Sequence, residues 1–145
     1  MPRPILIMKE IYKLAFMDMT ERFGQTSQAN RLKVGAMLCK DGNPIAWGVN
    51  GTRSGWHTNE CEDESGNTTK ETRHAEVACL DKLRRSHETS VGATLFTSHA
   101  PCLACSVELV EAGVIKVIYK HEYRCTEGLE YLLKHNVSIE RINQN

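Results

Sequence analysis

Two short pieces of sequence, far apart in the chain, have to meet before either makes chemical sense. One is His74-Ala75-Glu76. The other is Pro101-Cys102-Leu103-Ala104-Cys105, with residues 77–100 between them. Together they offer one imidazole and two thiolates, a donor set that suits zinc. Three protein ligands rather than four leave a position open to water, the arrangement of a catalytic zinc. Glu76 is then a carboxylate beside the metal and outside its ligand set. Cys102 and Cys105 stand at i and i+3, on one face of an expected helix. Pro101 suits the first turn of that helix, where its missing N–H costs nothing. A helix N-terminus also favours thiolate over thiol. His74 opens a second helical pattern (Ala75, Ala78, Cys79, Leu83). Two helix N-termini facing one pocket are therefore expected to share one ion. A structural zinc normally has four ligands, and the chain has no second Cys-x-x-Cys and no His-x-x-x-His. A redox Cys-x-x-Cys would follow an early strand and leave His74-Ala75-Glu76 without a purpose.

The chain has 145 residues, so one domain over 1–145 is expected. Lys and Arg total 18 and so do Asp and Glu, giving a net charge of zero. The cationic excess of a dedicated nucleic-acid binder is absent, which points to a small-molecule substrate and no nucleic-acid partner. The six cysteines (39, 61, 79, 102, 105 and 125) lack the spacing of a disulfide framework and read as reduced thiols in a cytoplasmic compartment. No apolar run reaches the length of a membrane span. Met1 to Met8 is too short, and Lys9-Glu10 comes too early, for a signal peptide.

Apolar residues at Ile7, Ile11, Leu14, Ala15, Met17 and Phe23 predict an amphipathic helix over 5–23, ended by Gly24. A polar connector, 25–32, leads to a strand from Val34 to Cys39. Asp41-Gly42-Asn43 is a turn signal, and Pro44 to Val49 completes a hairpin. Residues 52–72 are polar and Gly-containing, with Trp56, His57 and Cys61; a loop of that length in a compact domain is expected to be functional. Then come a helix over 73–86, a strand over 93–98, a helix from Pro101 to about Ala112 capped by Gly113, a strand over 114–119, a helix over 127–134 and a strand over 137–142. The order α-β-β-α-β-α-β-α-β predicts an α/β fold: a three-layer α/β/α domain with a mixed five-stranded sheet.

With those residues in place, the chain resembles the cytidine deaminase-like superfamily and, within it, the deoxycytidylate (dCMP) deaminase family, phage members included. The zinc motif carries the superfamily resemblance. Val34-Gly35-Ala36, Val49-Asn50-Gly51-Thr52 and Tyr119-Lys120-His121-Glu122-Tyr123 resemble family segments; Val49 replaces the usual Tyr, and Arg53 stands where many members have Pro. The resemblance implies zinc on His74, Cys102 and Cys105, with Glu76 as catalytic proton shuttle. It implies that Asn50 bonds the deoxyribose or base edge, that Arg31 and Tyr123 hold the 5′-phosphate, and that the Ala75 backbone lies near the base carbonyl. Arg85, nine residues after Glu76, is a substrate contact at the pocket mouth or an exposed helix-end cation beside Arg84. His99, just before the Pro-Cys joint, either lines the pocket or packs.

The implied reaction is hydrolysis of dCMP to dUMP and ammonia, in the supply of pyrimidine deoxynucleotides. The resemblance also implies a homo-hexamer activated by dCTP with Mg2+ and inhibited by dTTP, with the effector region in 52–72. Some phage members carry a second zinc near that loop, for which His57 and Cys61 are candidates. Two other readings stand beside this one. A tRNA adenosine deaminase or a free cytosine or guanine deaminase would share the motif; zero net charge and Asn50-Gly51 argue against tRNA. A zinc-stabilised binding module without catalysis would have no use for Glu76.

Overall fold

The computed structural model describes residues 8–142. Helix α1 (Glu10–Gly24) is followed by a hairpin of β1 (Gly35–Lys40) and β2 (Asn43–Val49). A short pair, β3 (Gly51–Thr52) and β4 (Thr72–Arg73), brackets the long polar segment. Then come α2 (Ala75–Leu83), β5 (Thr94–His99), α3 (Leu103–Glu111), β6 (Lys116–His121), α4 (Glu127–Lys134) and β7 (Ser138–Arg141).

The main sheet has five strands in the order β2-β1-β5-β6-β7. β1 runs antiparallel to both β2 and β5, whereas β5–β6 and β6–β7 are parallel. This is the mixed five-stranded sheet expected. β1 is buried on both faces, as a central strand covered on each side must be. Ala36 and Leu38 face one layer, with Leu80 and Leu83 of α2, Leu109 of α3 and Leu132 of α4. Met37 and Cys39 face the other, with Met17 of α1, Phe96 and Ile118. Strands β5 and β6 repeat the alternation through Leu95/Phe96 and Val117/Ile118. Burial pushes the Cys39 and Cys79 thiols up to about 12, so both are inert core groups.

Four expectations are corrected. Of the expected 5–23 helix, Ile7 lies outside the described residues and Lys9 is the N-cap. The 52–72 segment is not a plain loop: β3 pairs with β4, and a Glu62–Thr68 bridge folds its middle. Asp63 Oδ1 accepts the backbone N–H groups of Ser65 and Asn67, a local turn that short polar side chains favour. Pro101 does not open α3; that helix begins at Leu103 with Cys102 as its N-cap (φ −74°, ψ 172°). The expected 73–86 helix shortens to Ala75–Leu83, and His74 is its N-cap (φ −72°, ψ 157°). Among the described residues, no helix is long and apolar enough to cross a membrane.

Candidate active site

Both motif pieces lie where a helix begins. His74 and Cys102 are N-caps, with extended backbones that leave their side chains free to turn away from the helix. Cys105 sits one turn into α3, and its N–H points at Cys102 Sγ, 3.5 Å away. That contact takes the place of the usual oxygen cap and orients one sulfur with the other. His74 Nδ1 lies 3.2 Å from Cys105 Sγ and 3.4 Å from Cys102 Sγ. The three donor atoms all fall within 4.8 Å of one another, the one such group of His, Cys, Asp or Glu among the described residues. One ion with bonds of about 2.0–2.3 Å reaches all three. The donor set therefore fits zinc. Among the described residues, His57 and Cys61 belong to no second group of this kind.

The electrostatics agree. The Cys102 thiol is lowered to about 4, first by its hydrogen bond with Cys105 and then by His74. His74 is raised, chiefly by its hydrogen bond to Cys102. Cys102 thiolate and a proton on His74 thus favour one another, and a metal ion that takes the imidazole must displace such a proton. Glu76 is 4% exposed. Burial pushes its carboxyl above the ordinary value; its own backbone N–H, the His74 charge and the Cys105 side chain pull the other way.

Glu76 and Ala75 stand at the first turn of α2, on the floor of a cavity of about 650 Å³, within the usual size of a small-ligand site. Arg31, Asn50 and Tyr123 line the same cavity. Asn50, however, uses its side chain on the backbone. Its Oδ1 accepts the Val34 N–H at 2.8 Å, and its Nδ2 donates to the Leu32 carbonyl at 2.7 Å. Its first task is to fix the connector that carries Arg31, leaving one lone pair and one N–H for a ligand. Glu62 fixes the same connector from the other side by accepting the Asn30 N–H at 2.9 Å.

Arg85 is not brought to this cavity. Its N–H caps the far end of α2 on the Lys82 carbonyl, and its side chain is exposed. His74 and Glu76 lie at the opposite end of that helix, so the helix-end cation is the reading the geometry supports. The motifs did not single out Arg124, which also lines the cavity; its adjacency to Tyr123 was the available signal.

Two glycines let the motif segments sit this close to the fold. A Cβ on Gly48 of β2 would lie 2.5 Å from Cys79 N in α2. A Cβ on Gly128 of α4 would run into the Pro101 carbonyl and the Cys102 backbone.

A three-donor metal site, a buried carboxylate beside it and this sheet define the class of zinc-dependent nucleobase deaminases. The chain belongs to the cytidine and deoxycytidylate deaminase zinc-binding family, whose pattern matches residues 11–121. The structure of a dCMP deaminase from cyanophage S-TIM5, in complex with dCMP and dUMP, superposes with a TM-score of 0.92 at 44% identity, covering 94% of this chain and all of that one. A deoxycytidylate deaminase of Mycobacterium phage D29 is 31% identical over 120 residues, covering 74% of this chain and 92% of the relative. A deoxycytidylate deaminase of Saccharomyces cerevisiae is 29% identical over 138 residues; the match spans 88% of this chain and 43% of the yeast protein.

Proposed function

We infer that this chain is a zinc-dependent dCMP deaminase, hydrolysing dCMP to dUMP and ammonia. The observation that carries this reading is the meeting of His74, Cys102 and Cys105 beside buried Glu76, at the base of a cavity whose wall holds Arg31 and Tyr123. The phage relative solved with dCMP and dUMP supports the substrate.

His74, Cys102 and Cys105 would hold the zinc, which when bound supplies a Lewis acid able to bring the pKa of water from about 15.7 to about 7. The rest of the reaction falls to this chain. Glu76 takes the proton of the attacking water and passes it to N3 of the cytosine. Water oxygen adds at C4. Glu76 then takes the remaining proton from the new C4 hydroxyl and delivers it to the amino group, which leaves as ammonia while the C4 carbonyl forms. One carboxyl acts as base and then as acid, which requires a pKa near the working pH; burial of Glu76 moves it in that direction. Arg31 and Tyr123 hold the 5′-phosphate and so place C4 over the reacting water. Ala75, at the first turn of α2, offers its backbone to the base. Asn50 orders the Arg31 connector and keeps a donor and an acceptor for the deoxyribose.

The same reading includes a homo-hexamer, activation by dCTP with Mg2+ and inhibition by dTTP. Cys61, Glu62 and Thr72 of the 52–72 segment line the cavity, so an effector bound by that segment has a direct route to the substrate. The exposed apolar side chains Ile11, Tyr12 and Trp47 give an oligomer surface to bury. All six cysteines are free thiols, which suits a reducing, cytoplasmic setting.

The test is product analysis. Zinc-loaded protein given dCMP should release dUMP and ammonia in equal amounts. No conversion by zinc-loaded, folded protein overturns the reading.

A further inference from the structure

His99 ends β5 and lines the cavity, yet nothing in the chemistry above uses it. Its Nδ1 lies 2.9 Å from Ser98 Oγ. That hydroxyl already accepts the Gly35 N–H at 3.0 Å and is buried. Its own hydrogen needs an acceptor, and among the described residues His99 Nδ1 is the one in reach. The ring is therefore held as the tautomer with hydrogen on Nε2. Among the described residues, no protein group accepts from that Nε2–H. Burial first, and the neighbouring His121 second, keep the ring below the ordinary histidine pKa, which favours its neutral form.

The sheet places this donor beside the end of β6. His99 lies directly across from His121 in the parallel β5–β6 register, with ring centroids 4.9 Å apart. The Ala100 N–H donates to the His121 carbonyl at 2.8 Å, locking the two strand ends together. Tyr123 and Arg124 follow His121 in the chain and line the same cavity as His99, as does Arg31. The nearby carboxylates are engaged: Glu122 with Arg141 at 3.0 Å, and Glu21 with Lys120 and His121. C4 of a bound nucleotide must lie at Glu76, and its phosphate is the far end of the molecule.

We propose that His99, through Nε2–H, donates a hydrogen bond to the 5′-phosphate of the bound nucleotide and so helps select nucleotide over nucleoside. This rests on the dCMP reading. Ser98 acts through His99 as a positioning residue.

The experiment compares kcat/KM for dCMP and deoxycytidine in zinc-loaded wild type, His99→Asn and His99→Gln. The Gln amide nitrogen reaches the place of Nε2 and can donate there; the Asn amide reaches only the place of Nδ1. The ratio of two substrates on one preparation does not depend on the folded fraction. His99→Asn should lower that ratio tenfold or more, mainly through the KM for dCMP, and His99→Gln should restore most of it. Equal losses on both substrates, or a wild-type ratio in His99→Asn, overturn the inference alone. Wild type that converts no dCMP overturns the reading itself and the inference with it.

Discussion

Gly48 of β2 lies directly beneath Ala75 of α2: a Cβ added to the glycine would come 2.7 Å from the Ala75 carbonyl oxygen. The contact sets the height of α2 above the sheet, and with it the places of His74 and Glu76 on either side of Ala75. Gly48→Ala must push α2 outward, because the atoms it meets are backbone. The cost should be about 1–3 kcal/mol, that of overpacking a close contact. Urea unfolding should show the loss and metal analysis should show weaker zinc retention. Unchanged stability and zinc content would contradict this account of the α2 position.

Glu76→Gln keeps the size of the side chain and cannot carry the proton. It should retain fold and zinc while losing about 10²–10⁴-fold in kcat, the scale of general acid–base catalysis. Cys102→Ala should instead lose the zinc, because it removes a donor and the N-cap contact to Cys105 at once. Rate assays and metal analysis on the two variants separate the roles. Near-normal turnover by Glu76→Gln would remove Glu76 from the mechanism.

Arg31 reaches the cavity from a connector pinned by Asn50 and Glu62. Arg31→Ala should lower kcat/KM for dCMP, relative to deoxycytidine, by about tenfold to a hundredfold, the worth of a charged hydrogen bond. Asn50→Asp keeps the acceptor for the Val34 N–H and sets an oxygen against the Leu32 carbonyl. It should therefore reproduce part of the Arg31→Ala defect. An Asn50→Asp enzyme with the wild-type substrate ratio would remove Asn50 from the support of Arg31.

Stability should also depend on pH through carboxylates outside the site. Burial alone would raise Glu140 and Glu21. Lys116 and Lys13 at Glu140, and Lys120 and His121 at Glu21, outweigh it and hold both below the ordinary value. A folded pKa below the unfolded one gives stability that is present above about pH 4.3 and lost as the pH falls through the lowered folded value. Glu140→Gln should thus be less stable than wild type at pH 7, and the gap in denaturation midpoint should close towards pH 3. A gap that stays constant would show that ionised Glu140 contributes nothing.

The layered sheet was legible because each strand declares itself by β-branched or apolar runs between turn residues, as Asp41-Gly42-Asn43 does between β1 and β2. The metal triad was legible because imidazole and thiolates at such spacing have few other uses. The starts of α2 and α3 were each misread by two residues: Pro101 suits a first turn in isolation, but Cys102 is the residue that caps. Arg85 was open in sequence because periodicity places a residue around a helix axis and says less about which end it serves. Asn50 was visible as a polar residue at a strand break. Its two backbone hydrogen bonds depend on where the 32–34 connector passes, a tertiary fact. The same holds for His99, whose tautomer is set by Ser98 and, through it, by Gly35 on another strand.

The most direct test of the central claim is the turnover of dCMP and deoxycytidine by zinc-loaded wild type at matched concentrations, with and without dCTP plus Mg2+. The account predicts conversion of dCMP to dUMP in strong preference to the nucleoside, with dCTP accelerating it at low substrate. Preference for deoxycytidine or a free base, with no response to dCTP, would contradict the phosphate wall of Arg31 and Tyr123 and the regulatory role given to residues 52–72.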